Sequence, residues 1–184
     1  MTCMDARVVR RVYFAVILAL VLPASAAEPW QERTLSITDR GTLVLSSPRA
    51  WVQQTIQSPP TIRFSNSTGQ QFVVLITAQW SPTQDSSFNS STKVRALVEE
   101  TAVKVSAQAV ERAIPIDEMK GTAGRGYYFS VTDKDPGPNE YKYLTQGALA
   151  VDDLLLTFIV RTNEADSSIV NYAFDVLRSA RRGT

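Results

Sequence analysis

What the chain lacks constrains its fold more than any motif that it contains. It has no histidine, and its one cysteine is Cys3, close to the amino terminus. Such a chain closes no disulfide within itself and lacks the usual ligands of structural zinc. Burial of apolar side chains must therefore stabilise the fold unaided. The same absence excludes Ser-His-Asp and Cys-His catalysis, because both need an imidazole.

The amino terminus has the three-part layout of a secretory signal. Three arginines precede an apolar run of 11 residues at positions 12–22, and a proline and small residues follow it. A helix that spans a bilayer needs about 20 residues, so an uncleaved anchor is the weaker alternative. We therefore predict a signal peptide over residues 1–26 and a single domain over residues 27–184. The protein is expected to be periplasmic or secreted, with no stable membrane span after cleavage.

The charge balance argues against nucleic acid as a partner. The chain has 19 Lys and Arg against 18 Asp and Glu, a net charge of +1. Nucleic-acid-binding proteins usually carry a marked basic excess or a basic stripe. Arg178, Arg181 and Arg182 cluster near the carboxyl terminus, but cations there also suit the negative end of a helix dipole.

Several short segments have the alternation and turn residues typical of strands. They lie at residues 34–38, 42–46, 61–65, 71–79, 127–132, 141–150 and 154–162. The first two flank a turn at 39–41 and predict a hairpin, whereas the region around Trp51 predicts a connection or a short helical turn. The unbroken apolar run at 72–76 indicates a central strand buried on both faces.

Two segments repeat apolar residues at helical spacing. The first follows a polar loop at 81–91, with Ser90, Ser91 or Thr92 as its cap, and ends before Pro115. Its apolar stripe comprises Val94, Leu97, Val98, Thr101, Ala102, Val105 and Ala109. The second runs over residues 165–180, with Asn163 or Asp166 as its cap. Its stripe comprises Ile169, Val170, Ala173, Phe174, Leu177 and Ala180. This order predicts an α+β fold with a mostly antiparallel sheet and helices packed on its faces.

The motifs that could hold a phosphate or a metal are incomplete. Three glycines at positions 121, 124 and 126 precede a strand, whereas a phosphate loop precedes a helix. Asp133, Asp135, Asn139 and Glu140 bring oxygen ligands together in one loop, but the calcium-loop pattern of an EF-hand is missing. We predict no metal, no cofactor and no catalytic residue.

The same loop and its tyrosines form the candidate recognition surface, because tyrosine combines apolar area with a polar tip. Ordinary packing of the tyrosines is the alternative. The surface comprises Tyr128, Asp133, Asp135, Glu140, Tyr141 and Tyr143. The segments beginning at Asn66 and Asn89 match the glycosylation acceptor pattern, which matters only in a host that glycosylates secreted proteins.

The chain resembles the PsbP and Mog1-like fold group. The likeness rests on Trp51 before an early strand, on residues 72–80, on the stretch 141–147 leading into 154–158, and on the late amphipathic helix. It covers most of residues 34–180. The resemblance implies an antiparallel sheet with helices on both sides. It also implies a non-enzymatic accessory or assembly protein, and it carries over no catalytic residue.

These observations together predict an exported, non-catalytic binding or accessory protein whose partner is an unknown protein or small ligand. One alternative is a hydrolase or lyase that uses carboxylates, which requires a deep acidic cleft with shifted pKa values. Another is a small-molecule carrier, which requires an enclosed apolar pocket between sheet and helix.

Overall fold

The computed structural model describes residues 29–67, 69–165 and 168–183. The predicted signal peptide at 1–26 and the candidate cap Asp166 lie outside these ranges. Within them the chain forms ten strands and two α-helices. In chain order these are β1 (Trp30–Ile37), β2 (Gly41–Pro48), β3 (Val52–Gln57), β4 (Pro60–Asn66), β5 (Gly69–Trp80), α1 (Ser91–Val105), β6 (Asp117–Lys120), β7 (Arg125–Thr132), β8 (Tyr143–Val151), β9 (Leu154–Thr162), α2 (Ser168–Arg178) and β10 (Arg181–Gly183).

The strands of the described ranges form two antiparallel sheets, as the predicted α+β class requires. The larger has seven strands in the order β3-β4-β5-β9-β8-β7-β6, and the smaller has three in the order β1-β2-β10. Each neighbouring pair runs antiparallel. The predicted β1–β2 hairpin is present and is longer than the alternating segments indicate.

The two faces of the large sheet are covered differently. One face packs against the small sheet and α2, and buries aromatic and aliphatic side chains such as Phe64, Phe158 and Leu177. The opposite face carries α1, which packs mainly on β7 and β8. Val94, Val98 and Phe129 are buried between that helix and the sheet. Helices therefore lie on both sides of one sheet, and the core has two layers.

The sequence patterns did not predict three of the strands, β3, β6 and β10. β3 lies where a connection was expected, although Trp51 just before it is buried against Phe64 and Phe72 at ring distances of 5.6 and 5.0 Å. β6 is short and mostly charged, so it carries little hydrophobic pattern. β10 pairs with β2 and contains Arg181 and Arg182. These two arginines therefore lie beyond the helix whose dipole they were expected to offset.

The helix termini differ from the expected caps. Ser90 is the residue before α1, but its side chain makes no capping hydrogen bond, and the helix ends at Val105, well before Pro115. Asn163 accepts a hydrogen bond from the Lys142 backbone N–H at 3.0 Å, so it fastens the start of β8 to the end of β9. No helix in the described ranges is long and apolar enough to cross a bilayer.

Candidate functional site

Four of the six predicted recognition residues lie together. Asp133, Asp135, Glu140 and Tyr141 line a groove of about 700 Å³ beside the carboxyl end of α1. The Lys134 backbone N–H donates to the Gln108 carbonyl at 3.1 Å, which fastens this loop to the turn that follows α1.

The structure does not bring the other two tyrosines to that groove. Tyr128 lies on the opposite face of the sheet, with its ring 4.5 Å from that of Phe174 in α2. Burial raises the pKa of its phenol. Tyr143 lines a separate groove of about 400 Å³ on the same side as Tyr128. Packing accounts for Tyr128, and the six residues do not form one surface.

Two of the three carboxylates of the acidic loop accept hydrogen bonds from the loop itself. Asp133 accepts from the Asp135 backbone N–H at 3.0 Å, and Glu140 accepts from the Gly137 N–H at 2.8 Å. Such bonds are how short acidic side chains fix turns. Across the described residues, no group of three or more acidic, cysteine or histidine side chains is placed to hold a metal ion.

The other polar pocket lies at the opposite end of the sheet. It has a volume of about 570 Å³ and is lined by Arg40, Trp80, Asp85, Asp152 and Asp153, among others. Two of its carboxylates are already paired, Asp85 with Lys93 at 3.1 Å and Asp153 with Arg182 at 3.3 Å.

The shifted carboxylates are held in their ionised form. Hydrogen bonds from Ser87 and Lys93 lower the pKa of Asp85 to about 2. A hydrogen bond from Lys104 lowers the pKa of Glu100. A general acid needs the opposite shift, because its carboxyl must keep a proton near neutral pH. These two groups are therefore unsuited to act as general acids.

The cleft between α1 and the sheet is small. It measures about 60 Å³ and is lined by Leu97, Phe129 and Thr157, among others. Pockets that hold small organic ligands usually have volumes of several hundred Å³. The volume of this cleft lies below that range.

A different feature stands out: half of the face that carries α1 is uncovered. The cross-strand register places Val52 of β3, Ser65 of β4, Val73 of β5 and Arg161 of β9 side by side on this face. In the described ranges no helix or strand packs on that side of β3, β4 and β5, and α1 reaches only the Leu155 end of β9. We call the side chains of β3, β4, β5 and β9 that point this way the open face.

The open face is rich in apolar side chains for a surface exposed to water. Val52 and Ile56 of β3 are 41% and 47% exposed. Leu75 of β5 and Ile159 of β9 are half-buried and adjacent to each other. The polar side chains of β4 on this face, Thr61, Arg63 and Ser65, separate them from β3. An antiparallel sheet can present one face to solvent, but that face is usually polar. The contiguous apolar part of this face is the cross-strand pair of Leu75 and Ile159. Exposed apolar area of this kind marks interaction surfaces in soluble proteins.

Two arginines lie among these apolar residues. Arg63 donates to the Gln54 side chain at 2.9 Å, and its guanidinium therefore extends towards β3. Arg161 is exposed and lies where the open face meets the groove of the acidic loop. Neither arginine makes a salt bridge to any residue that the structure describes. The strands of the open face contribute no described carboxylate to it.

The sequence held one signal for this site. The run at 72–76 indicated a strand buried on both faces, and Phe72, Val74 and Ile76 are indeed in the core. Leu75, however, lies on the open face and is half-exposed. Val73 on the same side is only 8% exposed, so β5 is buried on both faces near Val73 and open near Leu75.

Comparison with solved structures supports the fold derived above. The chain is similar to the solution structure of cyanobacterial PsbP (CyanoP) from Synechocystis sp. PCC 6803, with a TM-score of 0.53 and 14% identity over 88% of this chain and 97% of that one. A crystal structure from Bacteroides thetaiotaomicron VPI-5482 matches with a TM-score of 0.48 and 12% identity over 77% of this chain and 45% of that one. No family model and no curated protein matches the sequence. The chain has a PsbP-like fold.

Proposed function

We propose that this chain is a non-catalytic binding or accessory protein that docks a partner protein on its open face. The observation that carries the proposal is the open face, with the adjacent half-buried pair Leu75 and Ile159 at its centre and Ile56 at its edge. Covering such a face with a partner removes apolar area from water, which is the main driving force of association.

Two further observations support a binding role. The shifted carboxylates Asp85 and Glu100 remain ionised at neutral pH, so they are unsuited to act as general acids. The resemblance to a fold group of mainly accessory proteins points the same way. The signal-like sequence of residues 1–26 supports a proposed location in the periplasm or outside the cell.

Site-specific photocrosslinking tests the proposal. A photoreactive phenylalanine analogue replaces Ile56 or Ile159 on the open face, and the variants are irradiated in the exported fraction of the native host. We expect one defined crosslinked protein from both positions. The matched control is Val103, an apolar residue of α1 that is 72% exposed. It lines a groove with Ile114 and Ile116, on the side of α1 away from the open face. The same crosslinks from Val103, or none from either sheet position, contradict the proposal.

The location is tested separately by sequencing the amino terminus of the protein recovered from each cell fraction. We expect a chain that begins after residue 26 in the periplasmic or extracellular fraction. Recovery of residues 1–26 in the membrane fraction would show that the segment is an uncleaved anchor.

A further inference from the structure

The two edges of the large sheet differ in how they are protected. β6 has four residues, three of them charged and exposed. Short length and charge are the usual means by which an edge strand avoids unwanted pairing. β3 at the other edge has the sequence VQQTIQ, which contains neither a charge nor a proline. In the part of the chain that the structure describes, β3 pairs with β4 and has no strand on its outer side.

The outer side of β3 can therefore accept another strand. An edge strand presents a row of backbone N–H and C=O groups without strand partners, and an extended peptide can add to it. Val52 and Ile56 lie on the open face at this edge, four residues apart. An added strand places alternate side chains on the same face, so its apolar residues would pack against these two.

The positive charge of Arg63 on the neighbouring strand indicates which charge the partner should carry. Arg63 of β4 extends towards β3 through its 2.9 Å hydrogen bond to Gln54. It has no carboxylate partner among the described side chains, and the open face supplies none. A carboxylate on an incoming strand can meet this guanidinium in a charge-assisted hydrogen bond.

We propose that the partner docks as an extended segment with alternating apolar and acidic residues, which adds to β3 and pairs a carboxylate with Arg63. This inference rests on the proposed function and names the kind of partner. A second copy of this chain fits less well, because pairing β3 with β3 brings no carboxylate to Arg63.

The test is selection from a library of random 12-residue peptides displayed on phage, with the purified protein as bait. Enriched peptides are synthesised, and their affinities are measured by fluorescence anisotropy. We expect alternating apolar and acidic positions in the enriched set. Methylation of alternate backbone nitrogens in one of the two possible phases should abolish binding, because it removes the donors of the added strand.

Variants of the protein separate the two contributions. Ile56→Lys places a charge on the edge and should weaken the peptides at least tenfold. Arg63→Gln should weaken them about tenfold, the scale of one hydrogen bond to a charged group, whereas Arg63→Lys should retain part of the affinity. Val103→Lys on α1 is the matched control and should have no effect. Thermal melting of each variant verifies that it folds.

Four results would overturn the inference. The first three are enrichment of no peptide, enriched peptides without acidic residues, and full binding after methylation in both phases. The fourth is a dimer in sedimentation that Ile56→Lys abolishes, which assigns the edge to a second copy. Binding to vesicles of phosphatidylglycerol and phosphatidylcholine that requires Arg63, with no peptide selected, would assign the face to a membrane. In each case crosslinks from Ile159 can persist, so the docking function is judged independently of strand addition.

Discussion

The two halves of the face that carries α1 have the same strand geometry and opposite burial. Under the helix, Tyr127 and Phe129 of β7 are buried. On the open face, Leu75 and Ile159 occupy the corresponding alternating positions and stay half-exposed. A helix is about 10 Å wide and strands lie about 4.8 Å apart, so one helix covers about two strands. One helix cannot cover seven strands, and the apolar content of the remainder is what points to a partner.

The two halves should differ most in the free energy of unfolding that is lost when an apolar residue is truncated. Phe129→Ala beneath α1 should reduce the free energy of unfolding by about 3–5 kcal/mol, because it leaves a cavity in a closed core. Ile56→Ala on the open face should cost less than about 1 kcal/mol, because its side chain is already 47% exposed. Urea denaturation measures both. Equal losses would mean that the open face is covered in the free protein.

A second prediction concerns the segment that follows α1. Burial acts to raise the pKa of Glu111, but hydrogen bonds from the Thr132 backbone N–H and hydroxyl outweigh it and lower that pKa. A depressed carboxylate pKa stabilises the fold above the ordinary value of about 4.5, and this contribution is lost as pH falls through the depressed value.

Glu111→Gln should therefore reduce the free energy of unfolding by about 1–2 kcal/mol at pH 7, the scale of hydrogen bonds to a charged group. The gap between the two proteins should shrink as pH falls below about 4.5. Denaturation of both across pH 7 to 3 measures it. A gap that stays constant with pH would show that Glu111 contributes only by packing.

The covered half was largely predictable from the sequence, and the open half was not. Phe129 and Val131 alternate with polar residues, and the stripe of α1 marks Val94 and Val98 as buried, so the pattern alone indicates that these elements pack together. Which strands lie under the helix depends on the order of strands in the sheet. That order is set by long-range pairing, such as β5 with β9, which leaves no local pattern.

The missed edge strand has a related cause. β3 contains two apolar residues, Val52 and Ile56, both on the exposed face. Strand patterns are recognised through the residues that they bury, and an edge strand buries few. The acidic loop shows the opposite error. Asp133 and Glu140 predicted a recognition site because they are clustered acidic residues, but both accept hydrogen bonds from the loop itself.

A smaller difference in stability should separate Arg182 from the two arginines of the open face. Arg182 is half-buried, pairs with Asp153 and donates to the Arg40 carbonyl. Its replacement by Gln should cost about 1 kcal/mol, because the half-buried Arg40 carbonyl and the Asp153 carboxylate lose their donor. Arg63→Gln together with Arg161→Gln should change stability by less than about 0.5 kcal/mol, since neither arginine has an ion-pair partner in the described structure. A larger loss for the open-face pair would give these arginines a structural role.

The smallest expected effect is a change in the pKa of Asp85. This residue lies in the loop at residues 81–90, which joins β5 of the open face to α1. Asp85 accepts hydrogen bonds from the Ser87 backbone N–H, the Ser87 hydroxyl and the Lys93 ammonium. Together they lower its pKa to about 2. Ser87→Ala removes the hydroxyl donor and keeps the backbone donor, so the pKa of Asp85 should rise part of the way to its ordinary value. Carboxyl-carbon NMR titration resolves this shift. An unchanged midpoint would show that the Ser87 hydroxyl does not hold this loop, leaving the start of α1 to the Lys93 contact and the Ser87 backbone.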